Sequence, residues 1–242
     1  MRPNIILINC DDLGYGDLGC YGSSKNSTPF IDKMSDEGIR FTDFYVPSPV
    51  CSPSRGALLT GCYPKRIGFA SFDSRGLPYR STVLFPGDPE GLNPDELTIA
   101  KLLKSVGYTT KMIGKWHCGD QKEFLPTKHG FDTYLGLPYS NDMGIQEPDD
   151  DYPPLPLIQN DDVISSQPDQ SLLTDLYTEE ALSFIEESKD EDFYPLIDGF
   201  EEVVEICLPN KQDFSLTYET GTWDGENTYD LYDPDDLYDP YD

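Results

Sequence analysis

Positive charge is scarce in this sequence and nearly gone from its second half. Seventeen Lys and Arg stand against forty-five Asp and Glu, a formal charge of −28, and after Lys128 only Lys189 and Lys211 are basic. A nucleic-acid partner is excluded, because a phosphate backbone would be repelled. Chemistry on anions belongs to the first half, where the cations are. No apolar run approaches the roughly 18 residues of a membrane-spanning helix, so no membrane span is expected. Six cysteines (Cys10, Cys20, Cys51, Cys62, Cys118, Cys207) form no CxxC pair and no zinc-like spacing. They are too few for a disulfide scaffold, and five of them read as small buried apolar residues. Histidine occurs twice, at His117 and His129. Met1-Arg2-Pro3-Asn4 leads into an apolar stretch too short for a signal peptide and without a cleavage site. Either the protein is cytosolic or an export signal is missing from the sequence, and the compartment stays open.

What is present points to an α/β protein large enough to bury roughly 70–75% of its unfolded surface. Asn4 to Cys10 is a nearly continuous apolar run, the pattern of a strand buried on both faces. It ends in Asp11-Asp12 and the turn Leu13-Gly14-Tyr15-Gly16. Thr28-Pro29 followed by Phe30, Ile31 and Met34 predicts a helix with proline at its first position, stopped by Gly38. Asn93-Pro94-Asp95-Glu96 predicts another, with Asn93 as N-cap and Glu96 at the capping-box position. Leu97, Ile99, Leu102, Leu103 and Val106 keep helical spacing up to Gly107. Tyr108 to Ile113 is β-prone and returns to the sheet. Strand, helix, strand in this order predicts a mainly parallel sheet flanked by helices. From about Ile145 to Gln170 the Pro- and Asp-rich stretch predicts a long surface excursion, and Thr174 to Glu187 an amphipathic helix. Beyond Lys189 no alternation of elements is legible, and the last twenty residues hold eight acids and no base. The expected organisation is an α/β domain over 1–187 and a divergent, partly disordered acidic region over 188–242.

The segment Cys51-Ser52-Pro53-Ser54-Arg55-Gly56-Ala57-Leu58-Leu59-Thr60-Gly61 carries the most chemistry. It sets a cysteine beside a proline suited to a helix start, where free N–H groups favour an anion or a thiolate. Arg55, one turn on, can reach the same spot. Paired carboxylates after a first parallel strand, Asp11 and Asp12, sit where ligands bind in open α/β sheets. Their hard oxygens suit calcium or magnesium. In Gly114-Lys115-Trp116-His117-Cys118-Gly119, Lys115 and His117 are two apart and project to one side.

These segments together, in this order, resemble the sulfatase family of the alkaline phosphatase superfamily, and the arylsulfatase A-like branch in particular. The resemblance covers roughly residues 3–187 and implies an alkaline-phosphatase-like fold. It extends through Leu125–Asp132 and Leu135-Gly136-Leu137-Pro138-Tyr139-Ser140. It implies a sulfuric ester hydrolase in which Cys51 is converted by a formylglycine-generating enzyme, and a small-molecule or glycan sulfate ester as substrate. It implies catalytic roles for Cys51, Arg55, Lys115 and His117, and substrate contacts from Ser140 and Lys115. It implies calcium, with magnesium as the alternative, held by Asp11, Asp12 and the modified Cys51. Family members are usually secreted, periplasmic or lysosomal. His129 reads as structural and Asp17 as turn chemistry.

The sequence also departs from the family. No histidine follows His129, and no Asp-Asn-Gly completes the calcium site; Asp198-Gly199 and Asp224-Gly225-Glu226-Asn227 are poor substitutes. At Lys189–Tyr194 the apolar strand of the family gives way to acidic sequence. A sheet without its later strands is expected to leave an unpaired edge and an exposed apolar face. The chain reads as truncated, with weak or no turnover expected. The alternatives are a non-catalytic sulfatase-like fragment, or a phosphomonoester or phosphonate hydrolase of the same superfamily.

Overall fold

The computed structural model describes residues 2–73, 80–148, 151–199, 205–207 and 215–217. Its centre is a six-stranded sheet in the order β1-β6-β2-β3-β4-β5. The strands are β1 (Leu7–Cys10), β2 (Thr109–Gly114), β3 (Thr133–Gly136), β4 (Pro156–Gln159), β5 (Asp162–Ser166) and β6 (Phe193–Gly199). The first four in spatial order, β1, β6, β2 and β3, run parallel; β4 and β5 add an antiparallel hairpin at one side. A separate two-stranded ribbon pairs β7 (Glu205–Cys207) with β8 (Ser215–Thr217).

Alternation along the strands builds two apolar layers, because successive side chains leave opposite faces of a sheet. Met112, Tyr134 and Leu196 face one way and pack with Trp116, Phe131, Phe69 and Phe72. Ile113, Leu135 and Ile197 face the other way, against Leu173, Tyr177 and Ala181. The latter three belong to α4 (Leu173–Glu187), whose start matches the amphipathic pattern read from 174. The helix α1 (Pro29–Glu37) opens on its proline and ends at Gly38, as its sequence predicts. The Cys51–Thr60 segment is the helix α2, closed by a left-handed Gly61.

Four expectations are corrected. The strand after Asn4 is not buried on both faces: all four β1 residues are half-buried, because among the described residues β1 is the outer strand and pairs with β6 alone. The helix expected from Asn93 begins five residues later, as α3 (Ile99–Ser105), with Thr98 as N-cap accepting from the Lys101 amide. Asn93 makes a local turn instead, its side chain accepting from the Asp95 amide at 2.9 Å and its carbonyl from Glu96, which is the usual competition between Asn and helix entry. The excursion from 145 holds the β4–β5 hairpin. Alternation does not stop at Lys189 either: Phe193-Tyr194-Pro195-Leu196-Ile197 is the buried core of β6, flanked by β1 and β2. The run carries Pro195 although proline is rare in central strands.

The unpaired edge has a counterpart in the structure. Among the described residues no strand pairs with the outer side of β1. Ile39, Phe41, Phe44, Tyr45 and Val46 lie exposed, Ile39 to 86%. Segment 224–227, with most of the acidic region, lies outside the described residues.

The strand ends converge on glycine. Gly114 sits at φ +96°, and a Cβ there would lie 1.7 Å from the Asp198 carbonyl; a Cβ at Gly136 would lie 1.9 Å from the Gly114 carbonyl. β6, β2 and β3 meet backbone to backbone at this level. Gly114→Ala combines a clash with a left-handed backbone and is expected to cost about 3 kcal/mol or more of stability. Urea unfolding of the variant beside the wild type measures it.

Candidate active site

Every parallel strand delivers a polar side chain to the same rim, at its carboxyl end. β1 runs into Asp11, β2 into Lys115, β3 into the loop that carries Ser140, and β6 contributes Asp198 as its penultimate residue. Opposite them stands the N-terminus of α2. Cys51 is its first residue, behind an extended Val50 that gives no side-chain cap; Pro53 has no N–H and the Ser54 amide donates to the Val50 carbonyl at 3.3 Å, which leaves the Cys51 and Ser52 amides as the uncapped donors.

The geometry is close. Cys51 Sγ lies 3.9 Å from both carboxylate oxygens of Asp11 and 3.3 Å from Lys115 Nζ. Lys115 Nζ also pairs with Asp11 Oδ2 and donates to Ser140 Oγ at 3.1 Å. Arg55 Nη2 donates to Asp11 Oδ2 at 3.2 Å. Both cations are buried, Lys115 to 2% and Arg55 to 6% exposure. Burial alone would raise the Asp11 carboxyl, but Arg55 and Lys115 outweigh it and hold Asp11 below the usual carboxylate range.

Of the residues expected at the site, Asp11, Cys51, Arg55, Lys115 and Ser140 come together. Asp12 follows Asp11 with a left-handed backbone, φ +56°, and is not part of this bonded cluster. His117 is buried, with φ +54° and its Nε2 2.9 Å from the Leu84 carbonyl, while Nδ1 has no partner. Burial, with the Lys115 charge nearby, lowers its imidazole to about 3. His117 is therefore neutral near pH 7. His129 lies fully buried against Trp116, ring centroids 5.3 Å apart, and Asp17 accepts from the Gly14 amide at 2.7 Å.

Two residues were missed as members of the site. Asp198, 1% exposed, forms a two-pronged pair with Arg55 at 2.5 and 2.9 Å. Asn9 supports it, Nδ2 donating to Asp198 Oδ2 at 2.7 Å. Burial raises the Asp198 carboxyl, against the pull of Arg55 and then Asn9. The available signal was a carboxylate ending an apolar run, the same pattern that marks Asp11 after Ile5–Ile8.

A divalent cation needs more than this rim offers. Among the described residues no group of three His, Cys, Asp or Glu side chains is arranged to hold a metal ion. Asp11, the better placed carboxylate, already answers Lys115 and Arg55. Calcium usually takes six to eight oxygens, so Asp11 and Asp12 alone do not make its cage.

An open, largely parallel α/β sheet with a cysteine at a helix start and cations at its carboxyl rim fits the alkaline-phosphatase-like architecture. A family model described as Sulfatase matches residues 3–197. The chain belongs to the sulfatase family. It is 50% identical to Arylsulfatase A of Homo sapiens over 144 residues, which is 59% of this chain and 26% of that protein. It is 43% identical to Arylsulfatase G of Rattus norvegicus over 176 residues, 72% of this chain and 31% of that one. The crystal structure of Ps i-CgsB superposes with a TM-score of 0.67 at 33% identity, over 83% of this chain and 45% of that one. The chain thus spans about a quarter to a third of the length of these two curated relatives.

The two buried histidines set a pH dependence. His117 falls to about 3 and, through burial and then Lys101, His129 falls to about 4, both from 6.5. Because the folded values lie below the unfolded one, the unfolded chain binds more protons as pH drops. Stability is expected to fall from about pH 6.5 downward, by up to about 1.4 kcal/mol per pH unit per histidine. Thermal unfolding between pH 7 and pH 5 reads this slope, and His129→Phe is expected to remove one histidine's share of it.

Proposed function

We propose that the pocket hydrolyses sulfate esters, using position 51, converted from cysteine to formylglycine, as its nucleophile. The observation that carries this reading is the meeting of Cys51, Asp11, Lys115 and Ser140, from four separate stretches, around one point at the sheet rim. The resemblance to arylsulfatases supplies the conversion and the substrate class, a small-molecule or glycan sulfate ester.

The hydrated aldehyde supplies two hydroxyls on one carbon, one to attack sulfur and one whose deprotonation releases sulfate. The residues of this chain do the rest. Asp11, held ionised and 3.9 Å from Sγ of residue 51, is placed to take the proton of the attacking group. Lys115 Nζ, 3.3 Å from the same Sγ, holds a sulfate oxygen, and the free amides of α2 add donors on the other side. Ser140 orients a second oxygen through its contact with Lys115. Arg55 adds positive charge from behind Asp11.

His117, neutral near pH 7, holds no proton ready for a leaving alcohol. Without a positioned acid the rate is expected to be about 10²–10⁴ lower than in a complete site. Asp11 and Asp12 are the side chains that would meet calcium or magnesium, and no step is assigned to the ion.

Two measurements test the reading. Intact mass after coexpression with a formylglycine-generating enzyme is expected to show sulfur and two hydrogens replaced by one oxygen in the peptide of Cys51. Hydrolysis of an aryl sulfate is expected to exceed that of the matching aryl phosphate and to vanish in Cys51→Ala. Lys115→Met is expected to lower it by about 10²-fold or more. Turnover that survives Cys51→Ala would overturn the assignment.

A further inference from the structure

Arg55 has four N–H bonds on its terminal nitrogens, and protein oxygens take all four. Nη1 donates to the Lys115 carbonyl at 2.9 Å and to Asp198 Oδ2 at 2.5 Å. Nη2 donates to Asp198 Oδ1 at 2.9 Å and to Asp11 Oδ2 at 3.2 Å. The fifth donor, Nε, is buried without a partner. The terminal fork, the part of the guanidinium that reaches the rim, has no donor left for a ligand.

Lys115 differs in the kind of partner it holds. Its ammonium meets one carboxylate, Asp11, and two uncharged groups, the Cys51 thiol and the Ser140 hydroxyl. An arriving anion displaces a thiol or a hydroxyl contact at little cost. To engage Arg55 it must break a two-pronged, buried carboxylate pair, the strongest kind of side-chain hydrogen bonding on this rim. Asp198 is itself fixed, by Asn9 at 2.7 Å and by its place on a central strand beside Gly114.

We propose that Asp198 is a built-in anion that occupies the Arg55 fork, making Arg55 a positioning residue for Asp11 and leaving anion capture at Cys51 to Lys115 and Ser140. This rests on reading the pocket as a sulfate site. Charge points the same way. Asp11, Asp12 and Asp198 formally outnumber Arg55 and Lys115 by three to two, so Asp198 also weakens the pull on a dianion. Removing its charge both frees donors and lifts one repulsion.

The test titrates inorganic sulfate into the wild-type protein and follows the Lys115 ammonium and Arg55 guanidinium resonances by NMR. Lys115 is expected to shift to saturation while Arg55 stays still. In Asp198→Asn, which keeps the side-chain shape, sulfate is expected to bind about tenfold or more tightly, and the gain is expected to vanish when Arg55→Gln is added. Arg55 moving along the same isotherm as Lys115 in the wild type would overturn the proposal. So would a folded Asp198→Asn that binds sulfate no more tightly while Lys115→Met abolishes binding; the sulfate reading of the pocket would then stand. Sulfate binding untouched by Lys115→Met would sink both. Should Asp198→Asn fail to fold, the wild-type titration decides by itself.

Discussion

Asp11 is a carboxylate largely withdrawn from water at the end of an edge strand, and its charge has to be met where it stands. Two cations converge on it, Arg55 from α2 and Lys115 from β2. An unpaired buried charge costs several kcal/mol, and each cation carries the same debt. Arg55 discharges its own against Asp198 on β6, and Lys115 leans on Ser140 beyond β3. The chain of pairs therefore ties four parallel strands and one helix together at the level where apolar packing ends. Directional bonds fix these side chains in a way that dispersion cannot, and the position of Cys51 depends on them.

The apolar part of the fold is a support for that rim. Two layers on opposite faces of β2, β3 and β6 hold the strands in register, and glycines at 114 and 136 let their ends approach without side chains between them. At the other margin the support thins. β1 is half-buried along its length, and the stretch from Ile39 to Val46 exposes large apolar side chains. The match that takes in 83% of this chain covers only 45% of the solved relative, so that relative is nearly twice as long.

Local rules made several elements legible. Pro29 and Gly38 bracket α1, and the Cys51–Gly61 stretch reads as a helix between an extended entry and a left-handed exit. Local rules misled where two of them competed. Asn93 with Pro94 satisfied every helix-start criterion, yet its side chain closed a turn and Thr98, beside the buried His129 carbonyl, became the cap. The stretch beyond Lys189 showed no legible alternation, yet β6 formed there around Pro195, because apolar neighbours on both faces outweigh one missing amide.

The sequence by itself determined the α/β class and singled out Asp11, Asp12, Cys51, Arg55, Lys115 and His117 through motifs with their own local logic, with Ser140 added by the family resemblance. Only the tertiary structure decided how their charges pair. Asp198 lies 143 residues from Arg55 along the chain and 189 from Asn9. Nothing nearby in sequence marks a carboxylate as the partner of a distant guanidinium. Pairing of that kind follows from strand order, and strand order is settled by which apolar faces can be buried together.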